Sequence, residues 1–260
     1  IISSGGFLPV NNIDSIINTN LKEIAMSFLM LFSFFSLYLI YNIIFLKNKS
    51  LNFFAEDIYL FIYFIILIII FFVLFNFNYN FSSILFSLTS SMSNIGISLK
   101  DTPSNLWLLY LIIVIIGGSF FSTSSGLRLL KIYFLFRHSI NEILSYSKPN
   151  NVYTNKFHLI ESNIEQKDIN KYFLSVLIFI ISLFLITLLF TIFNINFDEA
   201  FKLGILTLMN TVNSSMYDLS NFNFIDLNAQ SKLVMIVFMI IGRVELLTLL
   251  IIAKKFLFKN

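Results

Sequence analysis

Three apolar runs constrain this chain more than anything else in it: Ile58 to Phe75, Leu174 to Phe193 and Leu233 to Ala253. At about 1.5 Å of helix per residue, each can cross roughly 30 Å of hydrocarbon. A further run, Ile24 to Leu46, precedes them, and another begins near residue 105. Backbone polar groups have no water partner in lipid, so such runs must be helices. With 57% hydrophobic and 12% charged residues and a mean hydropathy of +0.86, the 260-residue chain reads as an all-α, multi-pass membrane protein. Its many phenylalanines, isoleucines and asparagines read as coding bias, so no single Phe or Asn is singled out. The absence of cysteine excludes disulfides and thiolate metal sites. No nucleophile–base arrangement points to an enzyme, and His138 and His158 read as ordinary loop residues.

What lies between the runs carries the functional argument. Phe81 to Thr89 is about three turns of mildly apolar helix, too short to span and suited to a re-entrant segment. It leads into Ser90-Ser91-Met92-Ser93-Asn94-Ile95-Gly96-Ile97-Ser98, small, polar and uncharged. Non-helical backbone at membrane depth is tolerated only where protein or water satisfies it, and rings of such carbonyls hold dehydrated cations. The plainer reading is an extracellular turn. Phe197 to Met209 is a second short helix, with Asp198 and Glu199 at its positive end, and Thr211 to Ser220 a second polar loop. The expected fold is therefore repeated span, pore half-helix, filter loop and span, arranged pseudo-symmetrically around an ion pore. Residues 1–50 read as the end of a second repeat and 51–145 as a third. Residues 146–170 read as a cytoplasmic loop and 171–260 as a fourth repeat. With no initiator methionine or basic leader, the chain reads as the C-terminal part of something longer.

The third run is interrupted. Three glycines and four serines fall between Gly117 and Arg128. Glycine costs about 1 kcal/mol against alanine inside a helix, so this stretch reads as a deliberate unwinding. It suits a flexible intramembrane gate in a wet cavity; close helix packing by small residues is the plainer alternative. A basic segment from Lys131 to Leu144 follows and suits anionic lipid or a regulatory partner. Arg243 sits within the last run, where a charge costs at least about 2.5 kcal/mol and faces inward. We expect it to reach the pore axis or the gate-loop carbonyls, against the alternative of an interhelical salt bridge. Most Lys and Arg fall on one side of the spans, among them Lys47, Lys49, Arg128, Lys131, Arg137, Lys254 and Lys255. Only Lys22, Lys100, Lys202 and Lys232 fall on the other. The first side is then cytoplasmic, the filter loops open outward and the C-terminus is inside.

These residues resemble the Trk/Ktr/HKT superfamily of potassium transporters, nearest the TrkH-type membrane subunit. Ser3-Ser4-Gly5-Gly6-Phe7 resembles the family's second filter. Ser93 to Ser98, with Asp101 and Trp107, resembles the third. Gly117-Gly118-Ser119 through Ser122-Thr123-Ser124-Ser125-Gly126-Leu127-Arg128 resembles the signature of its broken helix, and Pro149 to Val152 a motif that follows. Lys232 to Met235 and Met239 to Thr248 resemble the closing stretch. Five such segments in the right order carry the resemblance. It implies potassium uptake across a bacterial cytoplasmic (inner) membrane, with potassium as the transported ion and no bound cofactor. It implies a homodimer, a cytoplasmic nucleotide-binding (TrkA-like) regulatory subunit, contact with membrane lipid and no nucleic acid. The implied potassium filter comprises Ser3, Ser4, Gly5, Asn94, Ile95, Gly96, Ser214, Ser215 and Met216. The implied gate comprises Gly117, Gly118, Ser122, Thr123, Gly126, Arg128 and Arg243. The alignment departs from the family at the fourth filter, where Met216 falls on the expected glycine, and at Arg128, where the signature has lysine. The family's first repeat and most of its second precede the matched region. A sodium-permeable or cation-coupled carrier (a symporter), or a non-transporting remnant, are the alternatives.

Overall fold

The computed structural model describes residues 17, 19–37, 51–75, 79–99, 102, 105–119, 122–147, 166–219 and 227–243. Among these it is all helical, with no strand. The α-helices are α1 (Asn20–Phe34), α2 (Leu51–Leu74), α3 (Phe81–Met92), α4 (Trp107–Ile116), α5 (Leu129–Ser147), α6 (Gln166–Ile192), α7 (Phe197–Leu208) and α8 (Ala229–Arg243), with a 3-10 turn at Ser215–Tyr217.

Among the described residues, two segments reach spanning length with spanning hydropathy, Glu56–Leu74 in α2 and Ile169–Ile192 in α6. Each buries one stripe at helical spacing: Leu60, Phe64, Leu67 and Phe71 on α2, continued by Phe75 just past its end, and Phe179, Leu183, Ile186 and Phe190 on α6. The remaining faces expose residues such as Phe61, Ile65, Ile69, Ile181, Phe184 and Leu188. In lipid, where tails are as apolar as these side chains, that exposure costs nothing.

The short helices α3 and α7, twelve residues each, extend only about 18 Å at 1.5 Å per residue. They lie inside the protein: every residue from Ser82 to Met92 is buried, as is all of Ala200 to Leu208 except Phe201. Small hydroxyl side chains make this possible for α3. Ser87, Thr89 and Ser91 donate to the helix's own carbonyls at Ile84, Leu85 and Ser87, which satisfies these hydroxyls despite the crowding. Each short helix packs between the long helix before it and the helix after it: α2, α3, α4, then α6, α7, α8. The helix α1 lies along α3, while α4 also touches α7 and the 3-10 turn, joining the two arrangements into one core.

One expected element differs. The run Ile24 to Leu46 is not a single helix, because α1 stops at Phe34 and Phe35 is extended (φ −76°, ψ 162°). The amides that would continue the ladder are replaced by others: Ser119 N–H donates to Phe34 O at 3.1 Å and Ser124 N–H to Ser33 O at 3.2 Å. The freed Ser36 N–H donates to Asp57 Oδ1 at 3.3 Å. The loop between α4 and α5 has thus taken over the end of α1. The last run is described as helix to Arg243; Glu245 and the rest of it lie outside the described residues.

Candidate functional site

The two short helices end in the same way. In α3, Asn94 adopts the left-handed conformation (φ 57°), its N–H donates to Ser91 O at 3.2 Å, and Ile95 N–H donates to Ser90 O at 3.1 Å. In α7, Asn210 does the same (φ 53°), with Asn210 N–H on Thr207 O at 3.2 Å and Thr211 N–H on Leu206 O at 2.9 Å. This is the Schellman ending, with asparagine where glycine is commoner; its short polar side chain tolerates the left-handed region. Each asparagine then donates to the helix that follows. Asn94 Nδ2 reaches Val114 O on α4 at 3.3 Å and Asn210 Nδ2 reaches Met239 O on α8 at 3.0 Å. Asn94 also reaches Met209 O, the cap of the other short helix, at 3.4 Å.

Beyond these turns the loops meet. Val212 N–H donates to Ile95 O at 3.3 Å, and Ser98 Oγ and Ser215 Oγ lie 2.8 Å apart. Gly96 has φ +79°, and a Cβ there would fall 2.3 Å from Val212 O and 2.6 Å from Thr211 Cγ2. Only glycine fits both the backbone angle and the approach. The C-terminal, negative ends of both helix dipoles point into this junction.

Counting from the shared ending sets a register that differs from the one read off the sequence. Asn94, Ile95 and Gly96 correspond to Asn210, Thr211 and Val212, whereas Ser214, Ser215 and Met216 come later, at the loop exit. Counted this way, Val212 stands where the third loop has Gly96. Met216 is fully buried in the 3-10 turn, where its sulfur accepts from Ser91 Oγ at 3.7 Å. Ser214 is extended, the last residue before that turn. The loop's beginning is set by where α7 runs out of backbone partners. Ser3, Ser4 and Gly5 lie outside the described residues.

The residues expected to gate do come together, beneath the end of α1. Gly117 (φ +67°) and Gly126 (φ +116°) close the neck of the loop, where a Cβ on Gly117 would lie 2.1 Å from Ser125 O and one on Gly126 2.7 Å from Gly117 Cα. Thr123 Oγ1 donates to Ser33 O at 3.4 Å, and Gly118 packs against Phe34 O and the Ser122 and Ser124 hydroxyls. The Arg128 guanidinium lies across the loop, with Nη1 on Ser119 O at 2.8 Å, Ser124 O at 2.8 Å and Ser122 Oγ at 3.1 Å. Arg243 arrives from α8, with Nη1 donating to Ser125 Oγ at 3.2 Å. The expected contact is thus made through a hydroxyl. Both guanidiniums line a cavity of about 190 Å³ shared with Ser122 to Gly126 and Gly242. Cation charge here meets two fixed positive charges held by serine oxygens.

Lys202 carried no weight in the sequence beyond its charge, yet its ammonium is buried between Asp198 and Asp218. Aspartate at Asp198, four residues earlier on the helix, was the only local signal for this. No group of three or more His, Cys, Asp or Glu able to hold a metal occurs among the described residues.

Comparison with known proteins follows the geometry. The model of the TrkH family, described as cation transport protein, matches residues 101–259. No curated protein sequence matches significantly. Among solved structures, the crystal structure of the potassium transporter TrkH from Vibrio parahaemolyticus matches with a TM-score of 0.82 at 23% identity. The match covers 96% of this chain and 56% of that one, so the chain spans little more than half the length of that protein. At this identity the likeness is one of fold.

Proposed function

We propose that this chain, which belongs to the TrkH family of cation transport proteins, supplies two walls of a potassium-conducting pore and the gate beneath them. The observation that carries the reading is the meeting of the two short helices. Both end in the same asparagine turn, both aim the negative end of the dipole at one junction, and their loops lie backbone to backbone at Ile95 and Val212. Peptide oxygens in such a place replace the water around an alkali ion. The Gly117–Arg128 loop, with Arg128 and Arg243 against its serines, then acts as the barrier that must rearrange for flux. In this reading uptake occurs across a bacterial cytoplasmic membrane, with the filter loops outward and the C-terminus inside. The working unit is a homodimer regulated by a cytoplasmic nucleotide-binding subunit.

A second reading, relaxed selectivity that admits sodium, is favoured by Val212. It keeps a negative φ where Gly96 is positive, so the fourth loop does not repeat the backbone of the third. The test is rescue of potassium-limited growth by the full-length protein, with potassium and sodium uptake measured alongside and Gly96→Ser as control. Rescue that Gly96→Ser abolishes is the expected result; rescue that survives it removes the loop junction from the ion path. Equal uptake of both ions favours the second reading.

A further inference from the structure

Lys202 lies one turn into α7 and its side chain is 1% exposed. Its Nζ donates to Asp198 Oδ2 at 2.7 Å and to Asp218 Oδ2 at 2.9 Å, and sits 4.3 Å from the centre of the Trp107 ring. The three partners belong to three places. Asp198 is in the first turn of α7. Asp218 is the left-handed residue (φ 57°) that closes the 3-10 turn at the exit of the fourth loop. Trp107 opens α4, just beyond the exit of the third loop. The exits are themselves joined, Ser98 Oγ to Ser215 Oγ at 2.8 Å.

From this we infer that Lys202 is a positioning residue that braces the exits of both loops and so sets the spacing of the ion path between them. The inference rests on the reading of these loops as a filter. A buried ammonium is tolerated only when paired, and the cost of leaving it bare falls on whichever partner moves. Two carboxylates, themselves more than half exposed, and an aromatic face meet that need together, so a shift of the 3-10 turn or of α4 costs Lys202 a partner. The two carboxylates outnumber the ammonium, leaving the cluster net negative. It therefore does not itself repel an arriving cation.

The test measures the potassium-to-sodium permeability ratio of the full-length protein in proteoliposomes. Lys202→Met is expected to lower the ratio about fivefold, and Lys202→Arg, which keeps two carboxylate bonds and the ring contact, to restore most of it. Asp218→Asn leaves Lys202 paired with Asp198 and so preserves the fold while loosening the fourth exit; a fall of about twofold is expected. An unchanged ratio in folded Lys202→Met, or in Asp218→Asn should the first fail to accumulate, overturns the brace. Gly96→Ser separates the two failures. If it abolishes flux while Lys202→Met leaves the ratio alone, only the brace is lost. If it too changes nothing, the filter reading itself has failed.

Discussion

The amide of Val212 donates to the carbonyl of Ile95 at 3.3 Å, tying the loop after one short helix to the loop after the other. That carbonyl is one of those expected to face the ion, and a hydrogen bond from the neighbouring loop competes with the ion for it. Val212→Gly frees the fourth loop to adopt the conformation of the third. The expected outcome is a potassium-to-sodium permeability ratio raised by about tenfold, equivalent to about 1.4 kcal/mol of discrimination. Ion-substitution experiments in proteoliposomes measure it, and no change would show that Val212 does not limit selectivity.

Arg243 and Arg128 both bond the Gly117–Arg128 loop, through Ser125 Oγ and through the Ser119 and Ser124 carbonyls. Arg243→Gln removes a fixed charge from the cavity and is expected to raise resting cation flux several-fold, with Ser125→Ala reproducing part of the effect. Arg128→Gln is expected to act likewise and Arg128→Lys more mildly, since lysine keeps the charge and three donors for the Ser119 and Ser124 carbonyls. Stopped-flow flux in the absence of any regulator reads both. Wild-type flux in Arg243→Gln would exclude it from the barrier.

Asn94 and Asn210 make the same turn but carry different loads, because Asn94 bonds both Val114 O and Met209 O while Asn210 bonds Met239 O. Each alanine variant forfeits tolerance of the left-handed backbone, about 1–2 kcal/mol, together with side-chain bonds worth about 1 kcal/mol each. Each glycine variant forfeits only the bonds. The expected order of thermal stability in detergent is wild type, Asn210→Gly, Asn94→Gly, then the alanines. Alanine variants as stable as the glycine variants would show that the backbone angle is not what the asparagines supply.

Asp57 is 3% exposed, accepts from Ser36 N–H through Oδ1, and has no hydrogen-bond partner at Oδ2 among the described residues. An amide keeps the accepting oxygen without the charge. Asp57→Asn is therefore expected to fold with equal or greater stability, whereas Asp57→Leu strands the Ser36 amide at a cost of about 1–3 kcal/mol. Detergent melting curves compare them; an Asn variant less stable than the Leu variant would mean that the charge itself is required.

Asparagine shows where reading the chain fell short. The abundance of Asn invited its dismissal as coding bias, yet Asn94, Asn194 and Asn210 all take left-handed angles, and the first and last end the two short helices. An apolar helix closing on x-Asn followed by a larger residue was a usable signal. It would have set the fourth loop to begin at Asn210, with Val212 in register with Gly96. The arginine in the last run was legible because a charge in lipid demands a partner. Its partner, the Ser125 hydroxyl, was not, since nothing local to residue 243 encodes what crosses it.

By itself the amino-acid sequence determined where the spans in α2 and α6 lie, where the two short helices fall and where the backbone breaks between Gly117 and Arg128. Those properties follow from hydropathy, length and glycine content, which act within a few turns of chain. Only the tertiary structure decided that α1 surrenders its last carbonyls to the gate loop, that Val212 faces Ile95, and that Lys202 is shared by three elements. Each of these is a hydrogen bond or ion pair between segments far apart in sequence. Its energy depends on distances of about 3 Å that no local pattern specifies.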